Sequence, residues 1–256
     1  MLSGSVTEFN ARVKFGRPGV RLTENEAMER LLQERYVRNG DRPVAFVDES
    51  YLSPGYIAEQ KLPGLDPFYL LTAVVIYPEN FVQIRRELRE IVGGNFFHAT
   101  QYGQDAEGSD VPSKMAEYLV AGREVAVISL LVPAIDADEM VYSRTRCYRA
   151  LLKELYEGSH HDPVRLVVGE KLHEQHLNNW DRRILSDAKE DKVVGRDMSL
   201  LLASPYAERL LWLPDLVSNA MYRNLAGTDR SKFSILEPCL QIITADDDPT
   251  LENSGQ

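Results

Sequence analysis

Cysteine is almost missing from this sequence: Cys147 and Cys239 are the two in 256 residues. They are far apart and form no C-x-x-C spacing. Neither a disulfide framework nor a zinc ribbon is therefore expected, and both read as buried small hydrophobes. Long apolar runs are missing too. The longest, such as Leu70-Leu71-Thr72-Ala73-Val74-Val75-Ile76, fall well short of the roughly 20 residues that cross a bilayer, so no membrane partner is expected. Positive charge is in deficit, with 29 Lys and Arg against 39 Asp and Glu and a net charge of −10. That argues against loose, salt-driven attachment to DNA, although a local basic groove, or carboxylates gathered around a divalent ion, is compatible with it. The first residues carry Glu8, Arg12 and Lys14 and lack the apolar core of a secretory signal, which makes the cytoplasm the expected compartment. There is no Gly-x-x-x-x-Gly-Lys-Ser/Thr loop to suggest an NTPase and no Gly-x-Ser-x-Gly elbow to suggest a serine hydrolase. Internal repeats, low-complexity stretches and a linker between domains are also absent.

With 44% hydrophobic and 27% charged residues, the chain has the usage of one globular domain able to bury a sizeable core. Residues 1–40 read as an N-terminal helical appendage, 41–244 as the main domain, and 245–256 as a disordered acidic tail too poor in apolar residues to pack. In the appendage, Thr23 to Glu26 predicts a capping box, followed by an apolar stripe of Met28, Leu31, Leu32 and Tyr36 that ends near Asn39-Gly40. Strands are predicted at Val44–Asp48, Phe68–Tyr77, Val125–Val132, Val164–Val168 and Ser199–Ala203, with a short one at Phe96–His98. Helices are predicted over Glu79–Val92, Pro112–Val120, Ala137–Tyr156 and Gln175–Asp187, and around Asp215 to Met221. The alternation predicts an α/β fold, a mixed sheet with helices on both faces.

Side chains alternate across a strand, so Val44, Phe46 and Asp48 share one face while Ala45, Val47 and Glu49 share the other. An acid at the end of an apolar strand must be paired, hydrogen-bonded or metal-bound. Asp48 or Glu49 either caps a neighbouring turn or serves a site. The pattern recurs at Leu166-Val167-Val168-Gly169-Glu170, where Gly169 would leave room beside the carboxylate. A third acid, Asp215, stands in the apolar run Leu210-Leu211-Trp212-Leu213-Pro214-Asp215-Leu216-Val217, as a site residue or as an acid in the first turn of a helix.

Phe46-Val47-Asp48-Glu49-Ser50, the strand Tyr69 to Val74, the Phe97-His98 segment and Leu213-Pro214-Asp215-Leu216-Val217 together resemble the family called domain of unknown function 3800, a branch of the ribonuclease H-like superfamily. The resemblance spans Pro43 to Leu225. It implies a ribonuclease H-like mixed sheet and a divalent ion, Mg2+ or Mn2+, held by Asp48, Glu170 and Asp215. The activity it implies is nuclease chemistry on DNA or RNA, in which one ion activates water and a second, about 4 Å away, steadies the leaving oxygen. His98 resembles a polar position near the family's site and is read either as a group that shuttles protons or orients a phosphate, or as a hydrogen-bonded structural histidine. Glu49 and Ser50 are read as groups that orient the ligands or close the turn. The sequence departs from the family at Pro214, where a small residue is usual, and at Gly169-Glu170, where an Asp is commoner. The second departure raises a shifted ligand or a site that has lost activity.

Other metal readings have less support. Glu170 with His173, and Glu157 with His160, repeat the Glu-x-x-His spacing of di-iron bundles, but the first begins at a strand end and Gly158-Ser159 interrupts the second. His173-Glu174-Gln175-His176 is one residue short of the zincin spacing. A non-catalytic module that binds nucleic acid or a protein partner is the alternative, with Arg144, Arg146, Arg149, Arg182, Arg183 and Arg223 as the basic residues on offer.

Overall fold

The computed structural model describes residues 23–103, 111–134 and 140–245. Local signals place its first helix. In α1 (Glu24–Asn39) the Thr23 side chain accepts from the Glu26 N–H while the Glu26 carboxylate accepts from the Thr23 N–H, and Gly40 ends the helix at φ 66°. Leu32 and Tyr36 of α1 are buried in the core on one face of the sheet. The acidic tail, residues 1–22 and the predicted helix start at Ala137 lie wholly or almost wholly outside the described residues.

The sheet has six strands in the order β5-β4-β1-β2-β3-β6. They are β1 (Val44–Leu52), β2 (Phe68–Ile76), β3 (Val125–Leu131), β4 (Leu166–Glu170), β5 (Ser199–Ala203) and β6 (Leu240–Thr244). β1 pairs antiparallel with β2 and β2 with β3, whereas β4 lies parallel to β1, β5 to β4 and β6 to β3. The sheet is thus mixed, as the alternation of elements predicts. The helices are α2 (Pro54–Gln60), α3 (Phe81–Val92), α4 (Val111–Gly122), α5 (Val141–Glu157), α6 (Gln175–Glu190), α7 (Trp212–Leu225) and α8 (Ser231–Leu236). Period-2 alternation sorts the core into two layers. Val44 and Phe46 pack with α1, α3, α4 and α7 on one face, and Ala45 and Val47 pack with α5 and α6 on the other. Among the described residues no helix is long and apolar enough to cross a membrane.

Four expectations need correction. β1 does not end at Asp48 but continues to Leu52, because β2 supplies antiparallel partners along its whole length, Asp48 facing Thr72 and Leu52 facing Phe68. Phe96–His98 is not a strand. Phe97 is held by side-chain packing on Tyr102 and Trp212, with ring centroids 5.1 and 6.3 Å away, and the chain then turns into a 3-10 helix at Ala99–Gly103. α2, β6 and α8 have no counterpart among the predicted elements. The alternation of β6 is blurred by partial exposure throughout, and α8 is too short for a helical period to show. Gly169, finally, does not open space beside Glu170. It faces the opposite layer, where an added Cβ would stand 3.1 Å from Leu202 Cδ2 and 3.5 Å from the Tyr148 hydroxyl.

Distant segments are locked together by one buried acid. Glu208, 1% exposed, accepts from the Tyr36 hydroxyl at 2.7 Å, from Arg85 Nε at 2.9 Å and from the Leu210 N–H at 3.0 Å. It thereby ties α1 and α3 to the loop after β5. Removing it would strand a largely buried guanidinium without its counter-charge. Glu208→Ala should therefore lower the unfolding free energy by about 3–5 kcal/mol in urea titrations. A loss below about 1 kcal/mol, the level of an exposed pair, would show that the tie contributes little.

Candidate metal centre

Strand parity brings the first two acids together. Along the parallel pair, Val44 faces Leu166 and the register runs to Val47 facing Gly169. The next residues in step are Asp48 and Glu170, and partners in register share a face. Both acids therefore lie on the α7 side of the sheet, as Val44, Phe46, Leu166 and Val168 do. Asp215 sits in the first turn of α7, which packs across β1 and β2, and is 7% exposed. The acids feel one another's charge. The Asp48 carboxyl is held well above its ordinary range, first by burial and then by the charges of Asp215 and Glu170, with Arg144 opposing. The Glu170 carboxyl is pushed up to about 6 by burial and by Asp215, with His98 and His173 opposing. Among the described residues neither Asp48 nor Glu170 has an ion-pair or hydrogen-bond partner, so no direct contact among them relieves the repulsion.

Asp215 has partners. Its Oδ2 accepts from the Ala99 backbone N–H at 2.8 Å and lies 3.2 Å from His98 Nδ1. The imidazole is half exposed, and this bond raises its pKa above the ordinary 6.5. The buried Phe97 fixes the segment so that His98 reaches the acid.

Glu49 lies on the other face of β1, as alternation predicts. Its carboxylate accepts from the Tyr69 hydroxyl and pairs with Arg144, which is 4% exposed. Arg144 in turn forks onto Asp181, with Nε–Oδ1 2.7 Å and Nη2–Oδ2 2.8 Å. Ser50, partly exposed, follows on the Asp48 face opposite Leu70.

Sequence reasoning missed three contributors to this region. The first is Thr72, paired across from Asp48, whose buried hydroxyl has no partner among the described residues. The second is the Ala99 N–H on Asp215, and the third is the Arg144–Asp181 fork behind the sheet. The fork had left a trace, since Asp181 shares the apolar stripe of α6 with Ile184, Leu185 and Ala188 and an acid there requires a partner. The basic residues are mostly committed elsewhere. Arg149 is buried and bonds Asp191, Arg183 packs on Trp180 and pairs with Asp187, and Arg223 faces Asp229. His173, Glu174 and His176 are exposed around the start of α6. Gly158 at φ 73° ends α5 between Glu157 and His160, so those two do not share a helix. Of the cysteines, Cys147 is buried and Cys239 half-buried.

The atoms that Asp48, Glu170 and Asp215 offer are all carboxylate oxygens, a donor set that suits a hard divalent cation. Among the described residues no three His, Cys, Asp or Glu side chains already stand in metal-holding geometry. No family model matches the chain, and no curated protein matches it. Among solved structures, the crystal structure of Bst-RNase HIII in complex with Mn2+ is similar over 79% of this chain, at 10% sequence identity and a TM-score of 0.40. The alignment takes in 56% of that chain, so the present sequence spans little more than half of it.

The repulsion has a pH signature. Glu170 titrates near 6 when folded against an ordinary 4.5, so the native state binds more protons in that window and stability falls as pH rises through it. At pH 7 without metal, Glu170→Gln should be more stable than the parent by about 2 kcal/mol, the advantage vanishing below pH 4.5. Urea unfolding at both pH values in chelator checks this, and an equal difference at both would remove charge as its cause.

Proposed function

We propose that this chain is a divalent-metal-dependent hydrolase of phosphodiester bonds in nucleic acid, with a ribonuclease H-like domain over residues 41–244. On this reading Asp48, Glu170 and Asp215 hold Mg2+ or Mn2+, residues 1–40 are a helical appendage and 245–256 an acidic tail. It acts in the cytoplasm, and its kinship is with the family of domain of unknown function 3800. The observation that carries the reading is the step in register that sets Asp48 beside Glu170 under Asp215, where neither strand acid has an ion pair in the described chain to offset the repulsion. A bound ion would supply the Lewis acidity that makes water nucleophilic at neutral pH and stabilises charge on phosphoryl oxygens.

The chain's own residues divide the remaining work. Asp215 orients the His98 ring through Nδ1, which leaves Nε2 of a half-exposed imidazole to take a proton from water or to give one to the departing oxygen. The Ala99 N–H fixes one Asp215 oxygen, so the carboxylate does not turn away. Arg144 lies behind Asp48 and lowers the cost of its ionisation. Glu49 and Tyr69 hold Arg144 there, an orienting role at one remove from the ligands. Ser50 continues the Asp48 face at the rim.

The absence of ready-made ligand geometry among the described residues, together with Glu170 standing where the resembling family has Asp, favours one competing reading, a catalytically inactive module that binds nucleic acid or a protein partner. Metal and substitution separate the two. A cation that binds only the folded form stabilises it by about 2.7 kcal/mol at a hundredfold excess over Kd, so Mn2+ should raise the melting temperature of the parent. Asp48→Asn keeps the shape of the side chain but removes its charge. It should leave the circular dichroism spectrum unchanged, reduce the metal-induced shift and abolish metal-dependent cleavage of an oligonucleotide panel. Equal cleavage by parent and variant would sink the catalytic assignment, and a melting curve indifferent to metal in both would remove the ion.

Metal also makes a prediction for His98. Its proton is favoured by Asp215, and a cation on that carboxylate would oppose it. The His98 midpoint followed by NMR should therefore lie above 6.5 in chelator and fall when Mg2+ is added, and Asp215→Asn should lower it without metal. A midpoint unmoved by either change would separate His98 from the site.

A further inference from the structure

An exposed aromatic ring is held by a hydrogen-bonded turn three residues beyond the strand partner of Glu170. Tyr206 is 57% exposed, yet its turn is fixed on every side. The Tyr206 N–H bonds Ser204 Oγ at 3.2 Å, the Ala207 and Glu208 N–H groups return to the Ser204 carbonyl at 2.9 and 3.0 Å, and Trp212 Nε1 donates to the Pro205 carbonyl at 3.3 Å. The buried Glu208 then locks the end of the turn. One face of the Tyr206 ring is covered by Phe96, stacked at 4.4 Å with 14° between the planes. The exposure of Tyr206 is therefore on its outer face and edge.

Both rings are short tethers from the candidate centre. Ala203, at the end of β5, is in register with Glu170, and Tyr206 follows it by three residues, a reach of at most about 11 Å along the chain. Phe96 precedes His98 by two residues, about 7 Å at most, with the buried Phe97 between them as the anchor. Two segments distant in sequence thus deliver a two-ring stack to the rim beside Glu170 and the imidazole on Asp215.

We propose that Tyr206, backed by Phe96, is a stacking platform for an unpaired base of the substrate strand, so that the site takes single-stranded nucleic acid or a locally unpaired segment. This rests on the nucleic-acid reading above. A base in a continuous duplex offers no open face, whereas an unpaired base of any identity does, so the platform selects strandedness and not sequence. Stacking also supplies affinity without excess positive charge. That suits a chain of net charge −10 whose Arg144 and Arg149 are buried in ion pairs. A ring held still by its turn loses little freedom on binding.

The test uses the full chain carrying Asp48→Asn, with Mg2+, and fluorescence anisotropy of a labelled single strand about 12 nucleotides long, within the site sizes of single-strand binders. Adding Tyr206→Ala should weaken binding about five- to 150-fold, the range for loss of one stacked base. Tyr206→Phe should bind within about twofold, since stacking needs the ring and not the hydroxyl. A strand of equal charge with abasic sites should bind equally well whether the chain keeps its tyrosine or carries Tyr206→Ala, which separates stacking from phosphate contact. Cleavage of the same strand by the chain with Asp48 intact is measured in parallel. Equal affinity with and without the ring overturns the platform even if the strand is cut. A ring-dependent affinity without cleavage keeps the platform and overturns the hydrolase reading, and tighter binding of a fully paired duplex than of the single strand overturns the proposed strandedness.

Discussion

Parity along two parallel strands is the constraint on which the rest of this molecule depends. Once Val47 faces Gly169, the next step necessarily sets one acid beside another on the same side of the sheet. A slip of one residue would send Asp48 into the apolar layer under α5 and α6 and bring Glu49 to the α7 side. The register is held because each face has a strict apolar requirement. Phe46 and Val168 fit only among the residues of α7 and the helices beside it, and Val47 only among those of α5 and α6. The hydrophobic core thus determines which carboxylates meet, although it gains nothing from their meeting.

Beneath the acids the protein carries a second charged cluster, built around a single cation. Arg144 is the cation that opposes the shift of Asp48, and it reaches that carboxylate through the sheet while being fully occupied by Asp181, Glu49 and Tyr69 on its own side. Such a cation moderates the field without closing the site, because its hydrogen bonds are already assigned. A lysine there would hold its charge on one flexible atom and lose the two-point grip on Asp181.

Much of this was legible in the sequence, and the residues that were not share a cause. The capping box of α1, the span of β5 and the face assignments along β1 follow from local chemistry, namely side chain to backbone bonding and period-2 burial. Phe96–His98 misled because two aromatics followed by a polar residue look like a strand, whereas Phe97 is spent on Trp212 and the segment joins no strand of the sheet. β6 escaped because an edge strand packed on one side loses the contrast between its faces. Arg144 read as a surface cation because its partners lie 37 and 95 residues away, a distance at which no local pattern reports pairing. Asp48, Glu170 and Asp215 were grouped by resemblance alone, and the charge they exert on one another shows only once register and the crossing of α7 are known.

The bond between Tyr36 and Glu208 joins residues 172 positions apart, and that separation matters while the chain is being made. At about 5–20 residues per second, roughly 9–34 s pass on the ribosome between the appearance of the tyrosine and that of its acceptor. For most of that interval α1 can already meet α3, where Phe81 lies 4.9 Å from the Tyr36 ring, but not the acid that ties the two together. The bond to Glu208 is therefore among the last of the α1 contacts to form. Until Glu208 emerges, the Tyr36 hydroxyl and the Arg85 guanidinium lack the one carboxylate that holds both, so the lock between α1, α3 and the loop after β5 closes late in synthesis.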